Sequence, residues 1–207
     1  MNSPVDMLVQ IARHFQLPPG VDVAWSAFIG DKLTLEKNVV VQPHARLEHS
    51  VLLGRRVTVG RYAVLSNVEV GEGSHIEYGV IVTGHGNGRI KIGRECYIGI
   101  YNVLDWSDDL VIGDFVHIAG PSTGLWTHSS VQQAAAGDPL DNKSKRETAP
   151  IHIESNVYIG ANCTIYPGVT IGHHSVVAPN SAVAESVPPC TMVGGVPARI
   201  IKSLKLP

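Results

Sequence analysis

The residues of this sequence that could carry acid–base chemistry are concentrated in three polar stretches. His128 lies in LWTHSS, His85 in TGHGNGR, and Asp105 with Asp108 in DWSDD. Imidazole titrates near neutral pH, so a histidine can take a proton from a substrate hydroxyl under physiological conditions. The chain has ten histidines, however, and a solvated role is the default for any one of them. Position in the fold must therefore decide which of them is reactive.

A six-residue repeat surrounds these polar stretches and runs through most of the chain. A large aliphatic residue recurs at a spacing of six, and the series restarts after each interruption. Such fixed-period self-similarity is typical of a solenoid. The repeated aliphatic residues are Ile29, Leu35, Val41, Leu47, Leu53, Val59, Leu65, Val70, Ile76, Val82, Ile92, Ile98, Leu104, Ile112, Ile118, Ile153, Ile159, Ile165, Ile171, Val177 and Val183.

Each repeat fits one short strand followed by a tight turn. The residue two before the large aliphatic is small or β-branched, as at Val57, Ala63 and Val157, and positions two apart face the same side of a strand. Glycine often follows the large aliphatic, and we expect it to supply the positive φ of a corner. Three such strands per coil predict an all-β fold, a parallel β-helix shaped as a triangular prism with an aliphatic interior.

The longest interruption of the repeat predicts a long loop within a single domain. It occupies about residues 119–150, and a loop of this length in a compact solenoid is usually functional or disordered. Residues 3–15 instead follow helical spacing after a capping-box-like start, which predicts a helix that covers one end of the coil. The expected organisation is a helical cap at 1–26, the β-helix at 27–188 and a tail at 189–207.

The two shorter interruptions, at 83–89 and 105–109, are predicted to lie together. Counting strands in threes places both at the same edge of the prism, one coil apart. This arrangement stacks His85 near Asp105 and Trp106. A polar cluster is therefore expected on one prism edge.

Composition limits the remaining possibilities for this 207-residue chain. Only 16% of its residues are charged, which suggests that other subunits cover part of an extended surface. The net charge of −2 does not indicate binding to nucleic acid or to an anionic membrane. We see no signal peptide and no apolar run of membrane-spanning length. The three cysteines suit a reducing, cytoplasmic setting, and Cys96 and Cys163 are expected in the core.

The repeats and three longer motifs resemble the hexapeptide-repeat acyltransferases, nearest their galactoside and maltose O-acetyltransferase branch. The motifs are IGDFVHIAG (112–120), VYIGANCTIYPGVTIGHHSVVAPNSAVA (157–184) and GGVPARIIK (194–202), and the resemblance covers about residues 27–201. It implies a left-handed β-helix, although general chirality rules favour right-handed crossovers. It also implies a homotrimer whose active sites lie between subunits.

The resemblance implies roles for the polar residues. A histidine at the position of His128 acts in these enzymes as the base that deprotonates the acceptor hydroxyl, which is a poor nucleophile toward a thioester until then. The acceptor itself is expected to be a sugar or a similar hydroxylated small molecule. Its expected contacts are Asn102, Asp105, Trp106, Asp108 and His85.

The resemblance also implies acetyl-CoA as co-substrate and no metal. Coenzyme A is expected in the groove between neighbouring prisms, against backbone amides at Ala161 and near Pro179. Arg199 and Lys202 match basic positions near the nucleotide phosphates, where Coulombic attraction would assist binding. Glu185 departs from the family pattern, because a basic residue is common there and an acidic one weakens a phosphate contact.

Several alternatives stay open on the sequence alone. Transfer to the amine of an amino sugar needs the same base, and a non-catalytic assembly protein is compatible with the departure at Glu185. A metal enzyme like the γ-class carbonic anhydrases would need three converging histidines, and only His44 and His49 have a suggestive spacing. His117 competes with His128 as the base, although its strand position predicts that it faces outward.

Overall fold

The computed structural model describes residues 17–139, 141–142 and 144–205. The helix predicted at 3–15 lies outside these residues. Within them the chain winds into a parallel β-helix of triangular cross-section, whose short strands stack from coil to coil. We number the faces 1, 2 and 3 in the order in which the chain visits them, and name each edge by the faces that it joins.

Face 1 is a ten-stranded sheet, parallel except for its last pair. Its strands are β1 (Asp22–Val23), β3 (Val40–Val41), β5 (Thr58–Val59), β8 (His75–Ile76), β11 (Tyr97–Ile98), β14 (His117–Ile118), β19 (Tyr158–Ile159), β22 (Val176–Val177), β24 (Thr191–Gly194) and β25 (Arg199–Ser203).

Faces 2 and 3 are continuous, because the strands β2 (Phe28–Leu35) and β4 (Arg46–Leu53) run across the edge between them. Face 2 continues with β6 (Val64–Leu65), β9 (Ile81–Thr83), β12 (Val103–Asp105), β15 (Gly124–Leu125), β20 (Thr164–Ile165) and β23 (Ala182–Val183). Face 3 continues with β7 (Val68–Val70), β10 (Ile90–Ile92), β13 (Leu110–Ile112), β18 (Ile151–Ile153) and β21 (Thr170–Ile171).

The repeated aliphatic residues form the predicted core. Leu53, Val59, Ile159 and Ile165 are completely buried, and the columns that they belong to run the length of the prism. The small residues two positions earlier also point inward, so each strand contributes two core side chains. Truncating one such side chain to alanine typically costs about 2–5 kcal/mol, so the repeat is itself the main source of stability. Cys96 and Cys163 occupy small inward positions, as predicted.

The glycines that follow the large aliphatic residues have a different purpose from the one predicted. The positive φ falls two residues later, as at Asn38, His44 and Tyr62. A Cβ added at Gly60 would lie 2.6 Å from the Glu77 carbonyl carbon of the next coil, and similar clashes occur at its equivalents. These glycines are therefore required because adjacent coils approach closely, at the roughly 4.8 Å spacing of paired strands.

The β-helix is longer at both ends than the predicted 27–188. Strand β1 already pairs with β3, and β24 still pairs with β22. The predicted loop at 119–150 is shorter than expected, because β15 completes a coil and buries Leu125 fully. Leu125 follows Ile118 by seven residues rather than six, which hid this strand from the repeat count.

The two short interruptions meet at the 2–3 edge, as predicted. Asp105 pairs with Thr83 across β12 and β9, and a Cβ on Gly86 would strike the carbonyl oxygen of Ser107. The remaining loop leaves the same edge through β16 (His128–Ser129), a helix α1 (Val131–Ala135) and β17 (Glu147–Thr148). Among the described residues, no helix has the length and apolar character needed to cross a membrane.

Candidate active site

His128 is held at the 2–3 edge by the two ends of the long loop. Strand β16 pairs with β17 in antiparallel register, so His128 lies opposite Thr148. The Ala149 N–H also donates to the Thr127 carbonyl at 3.0 Å. The loop therefore leaves the prism and returns beside the same histidine, which keeps the His128 backbone in a fixed place.

A buried carboxylate orients the His128 ring. Asp105 Oδ2 lies 2.5 Å from His128 Nδ1. The same oxygen accepts hydrogen bonds from the Thr127 N–H and hydroxyl, each at 3.0 Å. The other oxygen, Oδ1, accepts from the Ser107 N–H at 3.1 Å and hydroxyl at 2.7 Å. The position of the carboxylate is therefore set before any substrate binds.

These hydrogen bonds determine the charge on Asp105. Burial on its own raises the pKa of the Asp105 carboxyl, but the bonds from His128, Ser107 and Thr127 outweigh burial and leave that pKa below its usual range. An ionised carboxylate can only accept, so the shared proton lies on His128 Nδ1. Nε2 of the ring then carries the free lone pair that a general base needs, and the side chain is 23% exposed.

No nucleophile for a covalent intermediate accompanies this pair among the described residues. The Ser107 hydroxyl contacts His128 through Nδ1, at 3.2 Å, and is itself buried against Asp105. A serine nucleophile would need to face the free Nε2 lone pair instead. Burial raises the pKa of the Cys96 and Cys163 thiols, which keeps them protonated. The geometry therefore suits proton abstraction from a bound substrate.

The structure places Asn102 and Asp105 inside the protein and Trp106 partly buried beside them, and the predicted contact of these residues with the acceptor stays a prediction. Asn102 is fully buried, and its amide bonds Ile118, Ala119 and Thr123 within the protein. Asp105 is buried behind His128 and supports the ring. Trp106 packs against the core. The polar groups of Asn102 and Asp105 are used internally, whereas the buried Trp106 Nε1 makes no hydrogen bond to the described residues. Of the predicted set, His85 and Asp108 line an open cleft.

A cleft opens beside the pair on the same edge. The His85 N–H donates to Ser107 Oγ at 3.2 Å, and the Asp108 N–H donates to Thr127 Oγ1 at 2.9 Å. Both residues are thus tied to the network that holds Asp105. The cleft is lined by His85, Gly86, Asn87, Gly88, Ser107, Asp108, Asp109, Arg146 and Thr148.

The predicted cofactor residues lie elsewhere on the chain. Ala161 and Pro179 stack one coil apart at the 1–2 edge, where the Asn180 N–H donates to the Ala161 carbonyl at 3.0 Å. Arg199 and Lys202 are exposed on β25. The structure does not bring these residues to His128 within one chain, because two different edges separate them.

Glu185 and Arg199 lie close enough to interact. Arg199 Nη1 is 3.6 Å from Glu185 Oε1, and both side chains are exposed. The carboxylate is near enough to pair with the guanidinium, and the expectation that Glu185 weakens a phosphate contact stays a prediction.

The other histidines lack comparable surroundings. His117 faces outward on face 1 between the rings of Tyr97 and Tyr158. His44 and His49 lie on different edges, 1–2 and 2–3. Within the described ranges no group of three or more histidine, cysteine or acidic side chains could hold a metal ion.

Sequence reasoning missed Ser107, Thr127 and Arg146. Ser107 and Thr127 supply hydrogen bonds to Asp105, and Arg146 Nη2 donates to Ser107 Oγ at 3.1 Å. Ser107 and Thr127 stand next to residues that the sequence did single out, Trp106 and His128. Arg146 left no signal, because its position depends on how the long loop returns.

Comparisons with known proteins agree with this architecture. The family model described as bacterial transferase hexapeptide (six repeats) matches residues 150–185. The chain is similar to a hexapeptide-repeat-containing acetyltransferase from Vibrio cholerae O1 biovar eltor, solved in complex with acetyl coenzyme A. The two are 38% identical, with a TM-score of 0.57, over 66% of this chain and 71% of that one.

Two curated relatives act on saccharides by name. The chain is 32% identical to galactoside O-acetyltransferase of Escherichia coli strain K12, over 65% of this chain and 63% of that protein. It is 33% identical to the putative lipopolysaccharide biosynthesis O-acetyl transferase WbbJ of the same strain, over 48% of this chain and 60% of that protein. The chain thus spans less than two thirds of these relatives.

The chain covers more than two thirds of the Vibrio structure at 38% identity, and its own six-residue repeat forms the buried core. The chain belongs to the hexapeptide-repeat acetyltransferase family, whose fold is the left-handed parallel β-helix.

Proposed function

We propose that this protein is an acetyl-CoA-dependent O-acetyltransferase that modifies a hydroxyl group of a sugar or a similar small molecule. The observation that carries the proposal is the buried Asp105 carboxylate bonded to His128 Nδ1, which leaves Nε2 free to act as a base. Family membership supplies the reaction type. The names of the curated relatives support a saccharide acceptor.

His128 performs both proton transfers in this mechanism. Nε2 takes the proton of the acceptor hydroxyl as its oxygen bonds to the thioester carbonyl carbon. Asp105 is a positioning residue, since its negative charge stabilises the imidazolium that forms. When the carbon–sulfur bond breaks, the imidazolium returns the proton to the departing thiolate. Acetyl ester and free thiol are the products, and no acyl-enzyme is required.

The separation of His128 from the predicted cofactor residues supports an active site shared between subunits. His128 lies on the 2–3 edge, whereas Ala161 and Pro179 lie on the 1–2 edge of the same chain. Tyr62, Tyr78 and Tyr101 contact one another edge to face along that second edge, and their exposed rings form an aromatic surface suited to burial. A homotrimer that places one chain's 1–2 edge beside its neighbour's 2–3 edge would complete each site.

The test of the proposal is an acetyl-CoA consumption screen over sugars, nucleotide sugars and amino sugars. The expected result is turnover with at least one hydroxyl acceptor, strongly reduced in His128→Ala. Near-normal turnover in that variant would show that His128 is not the base. A thermal shift on adding acetyl-CoA separates the enzyme from a non-catalytic assembly protein, because a ligand that binds only the native state raises Tm. No shift at millimolar acetyl-CoA favours the assembly protein.

The Glu185–Arg199 pair offers a test of the cofactor site. Glu185→Lys removes the competing carboxylate and adds a cation, so we expect the KM for acetyl-CoA to fall several-fold at low ionic strength. The effect should shrink as salt rises, because both side chains are exposed. An unchanged KM would place the nucleotide phosphates away from Arg199. The cytoplasmic setting suggested by the cysteine content stays a prediction.

A further inference from the structure

Arg146 occupies an unusual position between the catalytic network and the open cleft. It comes from the returning end of the long loop, one residue before β17. Its Nη2 donates to Ser107 Oγ at 3.1 Å, and Ser107 donates in turn to Asp105. The guanidinium is therefore fixed two hydrogen bonds away from Asp105, the carboxylate that orients His128.

The rest of the Arg146 guanidinium lacks a protein partner among the described residues. Its Nε is buried and makes no hydrogen bond there, and no ion pair forms to it within the described ranges. A buried N–H without an acceptor costs about 1–3 kcal/mol, so a bound molecule that offers an acceptor atom to this guanidinium would offset part of that cost. Arg146 lines the cleft together with His85 and Asp108.

The other charges in the cleft identify the chemistry of that acceptor atom. Asp108 and Asp109 both border the cleft, and each uses one carboxylate oxygen on a backbone N–H. A phosphate or carboxylate would satisfy Arg146 but would lie near two negative charges. A hydroxyl accepts from a guanidinium and donates to a carboxylate at the same time.

We propose that Arg146 and Asp108 form an acceptor subsite that selects an uncharged, hydroxyl-rich molecule over a phosphorylated or carboxylated one. This inference rests on the proposed function only for the reaction that the bound molecule undergoes. The binding step can be tested without it. Arg146 donates to an acceptor hydroxyl and Asp108 accepts from one. Ser107 contacts both Arg146 and the Nδ1 side of the His128 ring, so the subsite lies close to the proposed base.

The experiment measures binding by ligand-observed NMR, so it does not depend on turnover. The probes are the best neutral acceptor of the screen, or a methyl galactoside if none reacts, with its phosphate ester and its uronic acid. Wild type should bind the neutral probe at least tenfold tighter than either anion. Arg146→Gln should weaken neutral-probe binding at least tenfold, with Arg146→Lys in between and the KM for acetyl-CoA unchanged.

Lys145→Gln is the matched control. Lys145 is the adjacent loop cation, and its Nζ pairs with Asp138 at 3.2 Å rather than lining the cleft. This variant should bind all three probes as wild type does. Tm is measured for every variant, so that a loss of folding is not read as a loss of contact.

Three results would overturn the inference: wild-type binding of the neutral probe in Arg146→Gln, tighter binding of an anionic probe by wild type, or no binding of the neutral probe at all. Binding that depends on Arg146 without acetyl transfer would leave the subsite in place and contradict the proposed function. Acetyl transfer with no effect of Arg146→Gln on binding would support the proposed function and contradict the subsite.

Discussion

Two aspartate–histidine pairs lie along the 2–3 edge of the prism and make the same hydrogen bond in opposite surroundings. Asp105 Oδ2 bonds His128 Nδ1 at 2.5 Å, and Asp31 Oδ1 bonds His49 Nδ1 at 2.6 Å. The Asp105 side chain is 1% exposed and the Asp31 side chain is 67% exposed. Distance alone therefore does not distinguish a candidate active site from a surface ion pair.

The difference lies in what else holds each carboxylate. Asp105 accepts four further hydrogen bonds, from Thr127 and Ser107, inside a water-excluded corner. Asp31 has only its bond to His49 among the side-chain contacts described for it, and that bond lowers the pKa of the Asp31 carboxyl. Water and salt screen an exposed pair, whereas a buried and fully bonded carboxylate keeps one orientation. Rigid support thus marks the pair that can do chemistry.

The largest expected effect comes from removing each histidine in turn. His128→Ala should lower kcat/KM for acetyl transfer by about 10²–10⁴-fold, the usual contribution of a general base. His49→Ala should stay within about twofold of wild type, since His49 belongs to the exposed pair. Steady-state kinetics on one acceptor compares the two directly. Equal losses in both variants would remove the distinction between the pairs.

Neutralising each carboxylate sharpens the comparison. Asp105→Asn should lower kcat by about 100-fold, because an amide N–H can donate to His128 Nδ1 and leave the proton on Nε2, the wrong tautomer for a base. Asp31→Asn should have no measurable effect on kcat. Near-wild-type kcat in Asp105→Asn would show that the ring does not need this carboxylate.

Stability against pH gives a smaller but independent signal. The lowered pKa of Asp105 means that its ionised form stabilises the native state above the unfolded pKa of about 4, and that this contribution is lost as pH falls through the lowered native value. Asp105→Asn should therefore have a lower Tm than wild type near pH 7, and the gap should narrow below about pH 4. A constant gap from pH 7 to pH 3 would contradict the assignment. Asp31→Asn should show almost no gap at any pH.

The smallest expected effect concerns the groups that hold the carboxylate. Thr127→Val removes one hydrogen bond to Asp105 and the acceptor of the Asp108 N–H, which should cost about 1–3 kcal/mol in the free energy of unfolding. Activity should fall only several-fold, since the Thr127 N–H still donates to Asp105. Thr34→Val, on the exposed surface of β2, is the control and should match wild type. Denaturant unfolding measures both, and equal stabilities would argue against a supporting role for Thr127.

The sequence predicted the fold well because its information is periodic. Every sixth aliphatic residue packs into the core, and the counting of strands in threes placed His85 beside the 105–109 stretch. The count missed β15, because Leu125 follows the preceding repeat residue by seven positions instead of six. The role of the glycines was also predicted wrongly, because the sequence of one repeat does not show how closely adjacent coils approach.

The site was harder to predict than the fold. Asp105 and His128 are 23 residues apart, and their contact depends on β12 and β15 lying side by side. The resemblance assigned Asp105 to the acceptor, and nothing in the sequence linked it to His128. Arg146 depends on the return path of the long loop, which no local pattern encodes. His128 was predicted to be the base only because its position resembles that of the histidine in the hexapeptide-repeat acyltransferases.

The most direct test of the account is the protonation of the two histidine rings. Nitrogen-15 NMR of the imidazoles, assigned with His128→Ala and His49→Ala, reads which ring nitrogen carries the proton. We expect neutral His128 to be a single tautomer with its proton on Nδ1, and His49 to exchange between forms in solvent. A His128 ring protonated on Nε2 would leave no lone pair for the acceptor hydroxyl and would contradict the proposed mechanism.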